Sequence, residues 1–184
     1  MAQEGRHGPD GGPPHGWGAG PAGRPRSADL GRRFAARLID CVIVQAVSMV
    51  ALVPLLAMVM VAGSALLDGP PSRGAGLGSF AALFFVIWWG YEVLFLSRWG
   101  ATPGKRVMGL RVVPVHGARR APSTRASAVR GLLWAGPLLF SWSPWVNLLS
   151  GLYWIADIGW AVGDRPDRQA LHDKAAGTRV VEEA

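Results

Sequence analysis

Leu38–Val61, LIDCVIVQAVSMVALVPLLAMVMV, is the stretch that decides the fold. At a rise of about 1.5 Å per residue this run is longer than the roughly 30 Å hydrocarbon core of a bilayer. Pro54 kinks such a helix without ending it, because neighbouring groups in a membrane helix re-satisfy the freed backbone. Downstream, Phe80–Leu96 (FAALFFVIWWGYEVLFL) forms a second apolar run and predicts a span over about 80–97. A third region, Gly131–Gly163, is too long for one straight span and short for two. Pro137 and the Ser141-Trp142-Ser143-Pro144 turn predict a break in it. We read 123–140 as an interfacial or half-crossing helix and 144–163 as a membrane helix. Trp134, Trp142, Trp145, Trp154 and Trp160 lie near the breaks and ends, where head-group anchoring is expected.

The chain has 184 residues, and its Lys and Arg outnumber Asp and Glu 19 to 12, for a formal charge of +7. Such a surplus serves either nucleic acid or anionic lipid beside membrane spans, and its placement decides between them. Six basic residues precede the first span and eight fall in 97–130, where there is no acidic residue. The 64–79 loop carries one and the segment after 163 carries four. The positive-inside bias therefore puts the N-terminus and the 98–122 loop in the cytoplasm and the 64–79 loop outside. A cytoplasmic C-terminus requires the 131–163 region to enter and leave on one side. The expected location is the cell membrane, multi-pass, with both termini cytoplasmic. The expected partners are anionic lipid head groups, further copies of the chain or other membrane proteins, and no nucleic acid. Residues 1–30, rich in Gly and Pro, read as a disordered cytoplasmic tail, and 31–182 as the membrane domain. His7 and His15 in that tail lack ligand spacing. The lone Cys41 excludes an intrachain disulfide. Arg32-Arg33 raises the idea of a twin-arginine export signal, but Asp40 inside the run and the later spans argue against it.

Ionisable residues inside the apolar runs carry the chemistry. Asp40, Glu92 and Asp157 are costly in a membrane and should face protein or water. Arg33, Arg37 and Asp40, spaced i, i+4, i+7, share one helical stripe. Two accounts stay open: an interhelical salt-bridge lock, or a cation or proton site. Residues 99–113, WGATPGKRVMGLRVV, superficially resemble a phosphate-cradling loop, but the glycine spacing is short and Arg106 stands where a Mg²⁺-binding hydroxyl is needed. The plain reading is a tight turn at Thr102-Pro103-Gly104, a strand over Val107–Val115 and a turn near His116-Gly117. Residues 169–181, QALHDKAAGTRVV, predict a helical turn ending at Gly177 and a strand from Thr178 to Val181. That strand can pair with Leu110–Val113 in a small sheet on the membrane surface. His172-Asp173 reads as a structural hydrogen bond rather than an acid–base pair. With no nucleophile, metal set or cofactor fingerprint, we expect no enzyme, no cofactor and no metal centre.

Three blocks together resemble the RDD family of small membrane proteins: the Arg33-x-x-Ala36-x-x-x-Asp40 entry into the first span, GATPGKRVMGLRVV, and QALHDKAAGTRVV. Arg33 and Asp40 correspond to the first two letters of the family name, and Asp173 to the third. The resemblance marks Gly100, Thr102, Pro103, Gly104, Lys105, His172, Asp173, Gly177 and Thr178 as motif residues. It implies a polytopic membrane protein. Transport of unknown ligands has been suggested for the family, and sodium/proton antiport attributed to a member. The expected fold is an all-α integral membrane protein with two transmembrane helices, a broken third hydrophobic region and a small cytoplasmic β element. The expected function is an ion-coupled transporter working as an oligomer, with Asp40, Glu92 and Asp157 titrating and Arg33 and Arg37 tuning them. The alternative is a non-transporting scaffold or assembly factor whose charges are structural.

Overall fold

The structure, a computed structural model, describes residues 26–66, 69, 72–116, 121–140, 143–165 and 167–183. The tail reading for residues 1–25, and Ser141 and Trp142 of the expected turn, lie outside the described residues. Six helices, a 3-10 segment and two strands follow in order among those described. Helix α1 runs Leu30–Leu66, about 55 Å by helix rise. Asp29 starts it, its Oδ2 accepting from the Gly31 N–H at 2.9 Å, as an N-cap carboxylate does. Pro54 sits inside α1 without ending it. Helix α2, Arg73–Trp99, begins at Ser72, whose hydroxyl accepts from the Ala75 N–H, and stops at Gly100 in the left-handed conformation, φ 70°. Glycine suits that position because it has no Cβ to clash.

Among the described residues, the two long helices are the ones long and apolar enough to cross a membrane. Only 17% of the most apolar window of α1 and 22% of that of α2 is covered by protein. A core helix of a soluble domain would be wrapped, whereas Val42, Met49, Val50, Val53 and Val61 are each more than two-thirds exposed. An apolar band of that size calls for an apolar solvent.

After Gly100 the chain turns into α3, Pro103–Val107, with Thr102 as its N-cap and Pro103 in its first turn. Val107 is therefore helical, and the strand expected from there begins only at Leu110, because α3 uses the intervening residues to pack on α1. Strand β1, Leu110–Pro114, pairs antiparallel with β2, Thr178–Glu182, in the register Leu110↔Glu182 to Pro114↔Thr178. The tail contributes as well: Ser27 bridges Val181, and the Ala28 N–H donates to the Val180 carbonyl at 3.1 Å. Within the stretch expected to be disordered up to residue 30, residues 26–30 are ordered instead, since Ala28 is buried under the sheet with Leu96, Leu110 and Val112.

The third apolar region comprises α4, Thr124–Ala135, the 3-10 segment Gly136–Phe140 and α5, Pro144–Gly163. Tryptophan placement departs from expectation. Trp134 and Trp154 pack on each other with ring centroids 6.1 Å apart, and the Trp154 indole donates to the Trp134 carbonyl at 3.1 Å. They are inter-helix fillers, because an indole that finds a backbone acceptor inside needs no head group. Trp145 and Trp160 remain exposed. Short helix α6, Leu171–Ala175, precedes β2.

Candidate functional site: a buried charge network below the sheet

The ends of α1, α2, α4 and α5 nearest the sheet carry charged side chains, and α3 and α6 close over them. Asp40, fully buried on α1, accepts three hydrogen bonds: from the Tyr91 hydroxyl at 2.7 Å, the Thr102 hydroxyl at 2.6 Å and the Gly104 N–H at 2.8 Å. Lys105 Nζ lies 3.9 Å away. Gly104 permits this approach. A Cβ there would fall 2.3 Å from the Ala36 carbonyl oxygen and 2.8 Å from the Asp40 carboxyl carbon, distances real side chains do not occupy.

Glu92, on α2, is gripped by Arg37 through two hydrogen bonds at 2.9 and 3.2 Å, the forked geometry that makes such pairs strong. Arg130 Nε, from α4, reaches Glu92 at 3.4 Å, and Lys105 Nζ stands 3.8 Å from it. The Arg37 guanidinium also lies 4.3 Å over the Trp134 ring, a cation–π contact in a desolvated place. Arg130 continues to α6 and β2, touching Asp173 and donating to the Thr178 hydroxyl at 3.1 Å. Asp173 in turn accepts from the Ala170 N–H at the start of its own helix.

Asp157, on α5, accepts from the His172 backbone N–H at 2.9 Å and meets His172 Nδ1 at 2.6 Å. The expected His172–Asp173 bond is not formed: Nε2 stands 3.7 Å from Asp173, beyond hydrogen-bond reach. Burial, followed by the nearby Arg130 charge, pushes the His172 pKa down to about 4 despite Asp157. The ring is therefore neutral at pH 7, with Nδ1–H donating to Asp157. For Lys105, burial and then the Arg37 guanidinium push the pKa down to about 7, as desolvation of an ammonium requires.

The one-stripe reading of Arg33, Arg37 and Asp40 needs refinement. The three do not meet at one point. Arg33 donates to the carbonyls of Arg168 at 2.5 Å and Val180 at 3.0 Å, clamping the α5–α6 connection and β2. Arg37 goes to α2, and Asp40 to α2 and α3. Asp157 has no direct contact with the other two carboxylates and is joined to the network through α6. Of the motif residues, Thr102, Gly104, Lys105, His172, Asp173 and Thr178 belong to the network, while Pro103 starts α3 and Gly100 and Gly177 supply positive-φ turns at its edge. Sequence reading missed Tyr91 and Arg130. Arg130 looked like one basic residue among the eight of the loop, although its place at the edge of an apolar run was a signal.

A family model described as RDD family matches residues 27–177. The match takes in the first two sequence blocks, the third as far as Gly177, and well over half the chain. The chain belongs to the RDD family. Arg33, Asp40 and Asp173, the residues that the sequence resemblance singled out, lie inside the matched stretch and each sit in the network. A Haemophilus influenzae protein, named only as an uncharacterized protein, is 27% identical over 111 residues, which is 60% of this chain and 64% of its own length. The chain therefore matches less than two thirds of that relative. No solved structure matches the chain. RDD membership together with the two uncovered apolar helices makes this a membrane protein.

Proposed function

We propose that this RDD protein is a multi-pass membrane scaffold in which the charge network is a latch, tying the cytoplasmic ends of its helices to the sheet. One observation carries the reading. The four buried carboxylates, Asp40, Glu92, Asp157 and Asp173, are each held by fixed protein donors, and the cations beside them are Arg33, Arg37, Lys105 and Arg130. Four charges face four, with His172 neutral. A carboxylate that trades a metal cation for a proton has to release its partners, and two to four contacts per group oppose that. Buried pairs of this kind specify one arrangement more than they stabilise it.

The same contacts support a shared side for both termini. Residues 26–28 pair with β2, so the two ends of the membrane domain meet at the sheet. The basic loop between α2 and α4 joins them there, and the positive-inside bias places that face in the cytoplasm.

A second reading, ion-coupled transport by an oligomer, is favoured by Lys105. A buried ammonium with a pKa near 7 exchanges its proton at physiological pH. Inside-out vesicles separate the two. With wild type and an equally abundant Asp40→Asn protein, a Na⁺- or K⁺-triggered pH change confined to wild type establishes antiport. If neither moves protons and Asp40→Asn instead weakens assembly, the scaffold reading stands.

A further inference from the structure

Beside the network lies a cavity of about 210 Å³, far above the roughly 10–15 Å³ one water needs. It opens because α1 packs on α2 and α3 whereas α5 packs on α6 and the 3-10 segment, leaving a wedge between α1 and α5. Its inner end is lined by Arg33, Arg37, Lys105 and Arg130, with Asp173 the single carboxylate. Asp40, Glu92 and Asp157 stand behind these cations and do not line it. The outer wall is apolar: Leu30, Phe34 and Leu38 on α1 and Ile158 on α5. Phe34 and Leu38 are more than half exposed, so the wall continues onto the surface that faces the bilayer. Arg33 Nε is buried and has no hydrogen-bond partner among the described residues. The cations of the inner end are already paired with carboxylates, which leaves the Arg33 Nε–H as the unused donor there, under an apolar wall.

We propose that this cavity binds an anionic amphiphile, its acidic head group against Arg33 and its alkyl chain leaving between α1 and α5 into the bilayer. The volume selects the head group and first methylenes, since whole drug-sized ligands fill about 300–1,000 Å³. Phosphate and carboxylate heads share the needed charge, and Arg33 and Arg37 offer the planar donors that suit both. The proposal needs the membrane location but not the choice between latch and carrier.

Cys41 is the single cysteine of the chain and lines the same cavity, exposed, which makes it a native reporter. The full chain in neutral maltoside micelles is alkylated with a maleimide while dodecyl phosphate or laurate is titrated in. Dodecanol and inorganic phosphate serve as controls for chain and charge alone. The expected result is saturable slowing of Cys41 alkylation by the amphiphilic anions and by neither control. A preference for dodecyl phosphate assigns the site to phospholipid-type heads, and one for laurate to fatty acids; both support the proposal. Ile158→Trp, which fills the wall without touching the charges, should abolish the protection in a monodisperse protein, and Arg33→Gln should weaken it. Native mass spectrometry of the same samples counts bound amphiphile independently of the thiol. Equal slowing by dodecanol, or no retained adduct and no slowing by either anion, would overturn it.

Discussion

At the scale of single residues, Gly104 and Asp40 carry the tightest constraint. The Gly104 N–H ends on the Asp40 carboxylate, and no room exists for a methyl group between α3 and the Ala36 carbonyl. Gly104→Ala should therefore lower the apparent melting temperature, read by tryptophan fluorescence in detergent, by an amount equivalent to about 1–3 kcal/mol of overpacking. Asp40→Asn keeps the shape but leaves Lys105 with less compensation and forces one donor to face an amide nitrogen. Truncating one member of a buried charged set costs about 3–5 kcal/mol, so this variant should lose more stability than Gly104→Ala. Equal or smaller loss would show that Asp40 is not held as described. His172 adds a pH dependence with a definite sign. Its pKa falls from 6.5 to about 4 in the fold, so between these values the unfolded chain binds more protons. Its contribution is complete above about 6.5 and is lost as pH drops towards 4. The melting temperature should fall on the order of 5 °C across that window, and His172→Gln should flatten the fall.

At the scale of elements, α3 and α6 are too short to persist alone. They exist because each delivers groups to the network: Thr102, Gly104 and Lys105 from α3, and His172 and Asp173 from α6. Lys105 shows the tension in that arrangement. Its folded pKa of about 7 lies below the free value of 10.5, so stability should rise as pH goes from about 7 to 10.5. Lys105→Met should remove that slope in a thermal series above pH 7. An unchanged slope would mean that Lys105 is solvated rather than enclosed. The sheet has the same dependence on its surroundings. Two five-residue strands are marginal by themselves, and burial of Leu110, Val112 and Val180 against Ala28 and Leu96 holds them.

At the scale of the whole molecule, the charge layer divides the helices into unequal lengths. From Asp40 to its end at Leu66 α1 extends about 39 Å, and from Glu92 back to Arg73 α2 extends about 28 Å, by helix rise. The α4–α5 unit reaches only about 20 Å beyond Asp157 at its Pro144 end, less than the roughly 30 Å core. A hairpin of that depth is expected to re-enter rather than cross. In a Cys41→Ser background, Phe140→Cys should stay unlabelled by an impermeant maleimide from outside the cell, while a cysteine at Ser72, between the long helices, should be labelled. Labelling at 140 equal to that at 72 would show that the hairpin traverses.

By itself the sequence determined the family, the two long apolar helices, the short paired strands and most members of the charge network. Those features are local: an apolar run, a glycine, or a charge in an apolar setting keeps its meaning whatever it packs against. Tertiary structure alone decided the pairing. Arg33, Arg37 and Asp40 share a stripe in the sequence yet diverge to three elements, because α2, α3 and β2 converge on that stripe from different directions. Tyr91 carried no distinguishing pattern and Arg130 only its place at the edge of an apolar run, since their roles depend on charges dozens of residues away. The cavity, too, is a product of which helices pack closely and which do not, and no periodicity records that choice of neighbours.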